Sequence, residues 1–199
     1  MEEKLIKLYQ ECIIELKSIG INMEDEKIIG KIDIKIAKRA SKRYGCCKQE
    51  NPDKNYKIIQ KRGYHKIIKY EKFNIHHIEI SKWVMQLNDE IIKDTIAHEL
   101  IHCIPFCNNH GKEFKKYVNY VNKKLNYHIT TRGNKEQDYQ KSNLIYQEEK
   151  DYKYKILCQN CGQEIYRKRF NSNLIKRYRC AKCGGKLKIA EIKYPQQQT

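Results

Sequence analysis

Hydrophobic residues recur at helical spacing from the start of the chain. Leu5, Leu8, Cys12, Leu16 and Ile19 stand three or four positions apart, which predicts an amphipathic helix over residues 3–19 with Gly20 as its stop. Ile28, Ile32, Ile36 and Ala40 repeat the four-residue step and predict a second such helix over 24–44, ending at Tyr44-Gly45. Residues 48–56 are polar and include Pro52, the composition of a loop. Two strands are expected next, over 64–70 and 75–80, because Ile78 and Ile80 alternate with Glu79 as on a half-exposed sheet face. Asn88 and Asp89 suit the cap of a helix reaching about residue 104, with Ile92, Ile96 and Leu100 buried and Pro105 ending it. A helix from near His110 follows, with Phe114, Tyr117, Val118, Val121 and Leu125 as a core-facing stripe. Residues 130–150 are polar and mixed in charge and read as a linker; residues 196–199 read as a frayed tail.

The helix expected over 88–104 carries a chemical signature. His98-Glu99-Leu100-Ile101-His102 is the H-E-x-x-H pattern of zinc hydrolases, and His110-Gly111 follows after seven residues. Side chains four apart share a helix face, so the His98 and His102 imidazoles can converge on one ion. A catalytic zinc site has three protein ligands and an open position. His110, presented from the next helix after a short loop, is the best third ligand, with Glu113 as its rival; Asn108 occupies the metzincin position. Glu99 stands close enough to act on a metal-bound water without itself being a ligand. The bland reading is a pair of surface histidines. His65, His76, His77 and His128 lack such company and are expected to be surface or hydrogen-bonded residues. Fifteen tyrosines leave the oxyanion-stabilising group unidentified.

With 199 residues and 40% hydrophobic content, the chain can hold one domain of about 150 residues plus a small module. No apolar run approaches the ~20 residues of a membrane span, and the charged N-terminus is unlike a secretory signal, so a cytoplasmic protein without membrane contact is expected. There are nine cysteines. Cys158-x-x-Cys161 and Cys180-x-x-Cys183, eighteen residues apart and each followed by glycine, form a strong signal for a zinc ribbon with four cysteine ligands. Such a closed site gives a small module its stability and does no chemistry. Cys12, Cys46, Cys47, Cys103 and Cys107 read as free thiols, although Cys103 and Cys107 flank the histidine motif and could bind metal.

The net charge of +17 is uneven: residues 151–199 hold 12 basic and 3 acidic residues, against 29 and 21 in residues 1–150. Between the cysteine pairs run Tyr166-Arg167-Lys168-Arg169-Phe170 and Lys176-Arg177-Tyr178-Arg179. Basic residues interleaved with aromatics suit phosphate contact and base stacking, which points to DNA; the alternative is a solvated hairpin. The remaining lysines read as ordinary solvated surface. Nothing in the sequence sets an oligomeric state.

Taken together, these stretches resemble the SprT (Spartan-like) metalloprotease family. The likeness rests on Thr95-Ile96-Ala97-His98-Glu99-Leu100-Ile101-His102 and His110-Gly111-Lys112-Glu113-Phe114-Lys115. It extends to Ile78-Glu79-Ile80-Ser81, Tyr44-Gly45-Cys46-Cys47 and the closing Tyr178-Arg179-Cys180-Ala181-Lys182-Cys183-Gly184-Gly185-Lys186-Leu187. The resemblance implies an α+β fold, with a compact zincin-like metalloprotease domain over residues 1–150 and a small β zinc ribbon over 151–195. It implies His98, His102 and His110 as ligands of a catalytic Zn²⁺, Glu99 as the catalytic residue, and DNA-stimulated cleavage of proteins, including DNA-crosslinked ones. Two zinc ions per chain are then expected, one catalytic and one structural on Cys158, Cys161, Cys180 and Cys183. The competing readings are a non-proteolytic DNA-binding or regulatory zinc protein and a zinc hydrolase of small amides.

Overall fold

The computed structural model describes residues 1–62, 64–146 and 153–192. Its first helix, α1 (Glu2–Ser18), buries Leu5, Leu8, Cys12 and Leu16 and exposes its charged face. Residues 24–44 do not form the expected second helix. Instead, turns lead into strand β1 (Lys31–Ala37), and a further turn leads to β2 (Gly45–Pro52). The four-residue spacing of Ile28, Ile32 and Ile36 hid a two-residue one. Ile32, Ile34 and Ile36 alternate with Lys31, Asp33 and Lys35, and burial alternates with them, as β-branched residues favour in a strand. Most of the expected 48–56 loop is strand as well. β2 is polar because both of its faces find polar or small partners: Lys48 pairs with Glu79 at 2.6 Å and Gln49 donates to the His102 carbonyl at 2.7 Å.

β3 (Lys57–Arg62) and β4 (His65–Tyr70) make an antiparallel hairpin, and β5 (Phe73–Ser81) returns to the centre of the main sheet. That sheet has the order β1-β5-β2, parallel between β1 and β5 and antiparallel between β5 and β2. Ile34 and Cys47 both lie opposite Ile78, so one face carries Ile32, Ile34, Ile36, His76, Ile78, Ile80 and Cys47. Helix α2 (Asp89–Ile101) packs on it. Asn88 caps α2 by accepting from the Ile91 N–H at 3.0 Å. Ile91, Ile92, Thr95, Ile96, Ala97, Glu99, Leu100 and Ile101 are all buried, so α2 is enclosed on more than one face, with α1 and α3 (Lys112–Leu125) against it. α2 ends at Ile101 with His102 as its cap; the Cys103 and Ile104 N–H groups bond back three residues, continuing the coil in a tighter form.

The 130–150 stretch is more ordered than a linker. Within it, α4 (Lys135–Lys141) is capped by Asn134 and held by Tyr44, whose hydroxyl donates to Asp138 at 2.5 Å. Trp83 meets Tyr44 edge-on and stacks with Tyr139, with centroids 4.6 and 6.0 Å away. With only Tyr139 as an apolar anchor, α4 shows no hydrophobic period. Residues 147–150, at the end of the expected linker, lie outside the described residues, as do 151, 152, 193–195 and the expected tail.

The chain forms two compact units, Met1–Tyr146 and Gln147–Thr199. In the second, β6 (Tyr154–Cys158), β7 (Glu164–Arg167), α5 (Ser172–Arg177) and β8 (Leu187–Ile192) surround a small core of Ile156, Cys158, Cys180 and Leu187. The sheet order is β7-β6-β8. The molecule is therefore a mixed α and β protein with a C-terminal cluster of four cysteines. Among the described residues, no helix is long and apolar enough to cross a membrane.

Candidate metal centre

α2 brings His98 and His102 onto one face, and the loop to α3 returns His110 to them. The His110 Nε2 lies 3.0 Å from the Nε2 of His98 and 3.1 Å from that of His102. Their Nδ1 atoms explain the arrangement. His98 Nδ1 stands 3.0 Å from the Thr130 carbonyl and His102 Nδ1 2.7 Å from the Cys107 carbonyl. A carbonyl oxygen only accepts, so each Nδ1 carries the proton and each Nε2 presents a lone pair. This is the outer support that metal-binding imidazoles characteristically have. Three imidazole nitrogens on a common point fit zinc: tetrahedral bonds of ~2.0–2.1 Å would place them about 3.3–3.4 Å apart. Phe114, fully buried, forms the floor, its ring 4.9, 4.4 and 4.9 Å from those of His98, His102 and His110.

Burial, aided by the other two imidazoles, pushes His98 down to about 3, and burial lowers His102 as well. Both are thus kept neutral and ready to donate to a cation. Glu99 is 5% exposed. Burial first, then the Cys47 thiolate, pushes its carboxyl up to about 8, against the pull of Arg43 and the Cys47 N–H. His98, Glu99 and His110 line a cleft of about 370 Å³ whose other walls are Arg43, Tyr44, Gly45, residues 128–134 and part of α4. The strip 128–134 is placed by Asn122, which holds both the N–H and the carbonyl of Ile129 at 3.0 Å.

Other candidates from the sequence fall elsewhere. Glu113 pairs with Lys116 at 3.8 Å, and the histidine trio converges without it. Asn108 donates to the Tyr70 carbonyl at 2.9 Å, tying the loop to β4. The Cys107 thiol is buried and pushed up to about 12 by that burial; its carbonyl, not its sulfur, serves the site. His77 sits between Asp33 and Glu50, His128 lines the cleft, and His65 is exposed. His76, expected on the surface or hydrogen-bonded, is 1% exposed and bonded to the Phe73 carbonyl.

Sequence reasoning gave no role to Arg43, Tyr44 and Gly45 at the cleft, nor to the carbonyls of Thr130 and Cys107. A backbone carbonyl leaves no trace in residue identity. Asn122 and the left-handed Asn126 that ends α3 were the available signals that 127–130 is fixed.

In the second unit the four cysteines do converge. Cys158 and Cys183 Sγ are 3.5 Å apart, and Cys161 and Cys180 Sγ are 3.7 Å apart. Each C-x-x-C pair sits in the same turn: the Gly162 N–H bonds to the Cys158 carbonyl at 3.1 Å, and the Gly184 N–H to the Cys180 carbonyl at 2.8 Å, with φ of +70° and +73°. At Gly185 a Cβ would come within 2.9 Å of the Cys158 sulfur, so the backbone folds closely over the thiols. Backbone N–H groups, that of Cys161 first, hold the Cys158 thiol well below its ordinary range, as a thiolate ligand requires. Arg167, Lys168, Arg169, Lys176, Arg177 and Arg179 are exposed. Of the interleaved aromatics, Phe170 packs on the core of the second unit while Tyr178 is 64% exposed.

Compared with protein-family models, the chain matches the SprT-like family over residues 10–133, from within α1 to the strip that carries Thr130. No curated protein and no solved structure matches it.

Proposed function

The chain belongs to the SprT-like family, and from that membership we propose that it is a zinc-dependent endopeptidase acting on proteins associated with DNA or crosslinked to it. The observation that carries this reading is the convergence of three imidazoles, with the His110 Nε2 3.0 and 3.1 Å from those of His98 and His102, at a cleft lined by His98, His110 and the buried Glu99. On this reading Met1–Tyr146 is a zincin-like domain in which His98, His102 and His110 hold a catalytic zinc. The second unit is a ribbon in which Cys158, Cys161, Cys180 and Cys183 hold a structural one. When bound, the catalytic zinc would supply positive charge that acidifies water, polarises a carbonyl and draws Glu99 back toward its ordinary range.

Glu99 is the proton carrier. Its carboxylate takes a proton from the attacking water as the new C–O bond forms, and gives it to the departing amine nitrogen as the C–N bond breaks. Gly45 leaves the carboxylate room, and Arg43, Tyr44 and the 128–134 strip shape the cleft that a peptide would enter. The exposed arginines and lysines of the ribbon would bring the enzyme to DNA.

The test uses purified, zinc-verified protein with an unfolded protein substrate, with and without DNA. Wild type should cleave and DNA should accelerate it. Glu99→Gln should retain zinc and lose about 10²–10⁴-fold in rate. Absence of cleavage by wild type under both conditions, with salt-sensitive DNA binding intact in both proteins, would instead establish a non-proteolytic DNA-binding zinc protein.

A further inference from the structure

Behind Glu99, on the sheet side of α2, three further metal-ligating groups come together from separate parts of the chain. Cys47 of β2 places its sulfur 3.7 Å from Nδ1 of His76 on β5 and 3.7 Å from the sulfur of Cys103, just beyond α2. All three donor atoms lie within 4.8 Å of one another. Cys103 and His76 are 3% and 1% exposed, and Cys47 is half-buried.

Two features separate this trio from ordinary buried thiols. First, His76 is oriented as a ligand: its Nε2 donates to the Phe73 carbonyl at 3.2 Å, which leaves the Nδ1 lone pair aimed at Cys47. Second, the spacing matches coordination. Two thiolates on a tetrahedral zinc with bonds of ~2.3 Å stand about 3.8 Å apart, and the four-cysteine cluster of this same chain shows 3.5 and 3.7 Å. We propose that Cys47, His76 and Cys103 form an additional, buried binding site for zinc or another thiophilic cation. Two thiolates and a divalent ion are together neutral, so such an ion can be buried at low electrostatic cost.

Its position gives it a task. Cys47 follows two residues after Gly45, against which the Glu99 side chain packs, and the Cys103 thiol lies 3.6 Å from the Glu99 carbonyl. An ion here clamps β2, β5 and the end of α2 around the residue assigned above as proton carrier. It is a positioning device and takes no part in the chemistry. The site itself does not rest on the protease reading.

Zinc stoichiometry by mass spectrometry tests it on the full chain. Wild type should hold three ions, Cys47→Ser two, His102→Ala two, and the double variant one. If the histidine trio holds no zinc but this site does, wild type has two, His102→Ala keeps two and Cys47→Ser keeps one, so the two readings fail separately. A measurement free of variants is cadmium loading of wild type followed by dialysis. The metal–thiolate absorption should correspond to six bonds, half as large again as the ribbon alone supplies. Equal metal content in wild type and Cys47→Ser, an absorption of four bonds, or a Cys47–Cys103 disulfide in metal-replete protein overturns the proposal.

Discussion

A methyl group at Gly45 would lie 2.8 Å from Oε1 and 2.9 Å from Cγ of Glu99, with the Glu79 carbonyl 3.1 Å away on another side. These approaches are too close to hold, so Gly45→Ala must displace the Glu99 carboxylate. Small misplacements of a catalytic group are costly, about 10²-fold for an ångström. Gly45→Ala is expected to lower kcat by about that factor while zinc content and KM stay near wild type. Loss of zinc in this variant would show that the glycine serves the fold of the site and not the position of Glu99. The meeting of His98 and His102 was legible in the sequence because it depends on side-chain identity and a spacing of four. Gly45 was not, because its contribution is an absent side chain, and Thr130 and Cys107 were not, because they act through carbonyls.

At the scale of elements, the outer face of the main sheet is tied together by one carboxylate. Glu79, on the central strand β5, lies opposite Lys35 of β1 and Cys46 of β2. It pairs with Lys48 at 2.6 Å, Arg43 at 2.5 Å and Lys35 at 3.9 Å, with its own side chain only 12% exposed. Hydrogen bonding by Lys48, followed by the Lys48 charge, the Cys46 thiol and Arg43, outweighs burial and holds its carboxyl below the usual range. A folded-state value below the unfolded one means stability that is present above the unfolded pKa of ~4.3 and lost as pH falls through the folded value. Glu79→Gln is therefore expected to cost about 1–2 kcal/mol at pH 7, since its partners are half exposed and regain water. The gap to wild type should close on acidification toward pH 3, as followed by urea unfolding across that range. A gap independent of pH would mean that packing, not charge, is what Glu79 provides. This sheet is also where the pattern of apolar residues misled. An edge strand whose isoleucines fall every second position also satisfies a four-residue step, so β1 could be taken for helix. β2 was hidden by its polar composition, which its pairings with Glu79 and the His102 carbonyl accommodate. α1 and α3 were legible because each buries one face long enough for the helical period to be unambiguous, and α2, enclosed on more than one face, was legible from its Asn88 cap and the Pro105 that follows it.

For the whole molecule, the division into two units places the histidine trio and the Cys47–His76–Cys103 cluster in the first and the four-cysteine cluster in the second. The charge separates likewise, since residues 151–199 carry a net +9 on a quarter of the chain. Phosphate binding releases counterions, and each phosphate-binding cation removed lowers the slope of log affinity against log salt by about 0.7–0.9. Replacing Lys168, Arg169 and Arg177 together by alanine removes three exposed cations and leaves the cysteines and the Ile156–Leu187 core untouched. The triple variant is expected to bind DNA more weakly and with a slope reduced by about 2–3 if all three bind phosphate. Its proteolysis without DNA should be unchanged, so only the acceleration by DNA falls. An unaltered slope would transfer the nucleic-acid contact to the lysines of the first part of the chain, where residues 1–150 hold 29 basic and 21 acidic residues. The second unit would then be left with a structural part alone. A lower slope with undiminished acceleration would separate binding from stimulation, because the DNA that activates would then have to reach the enzyme by another surface.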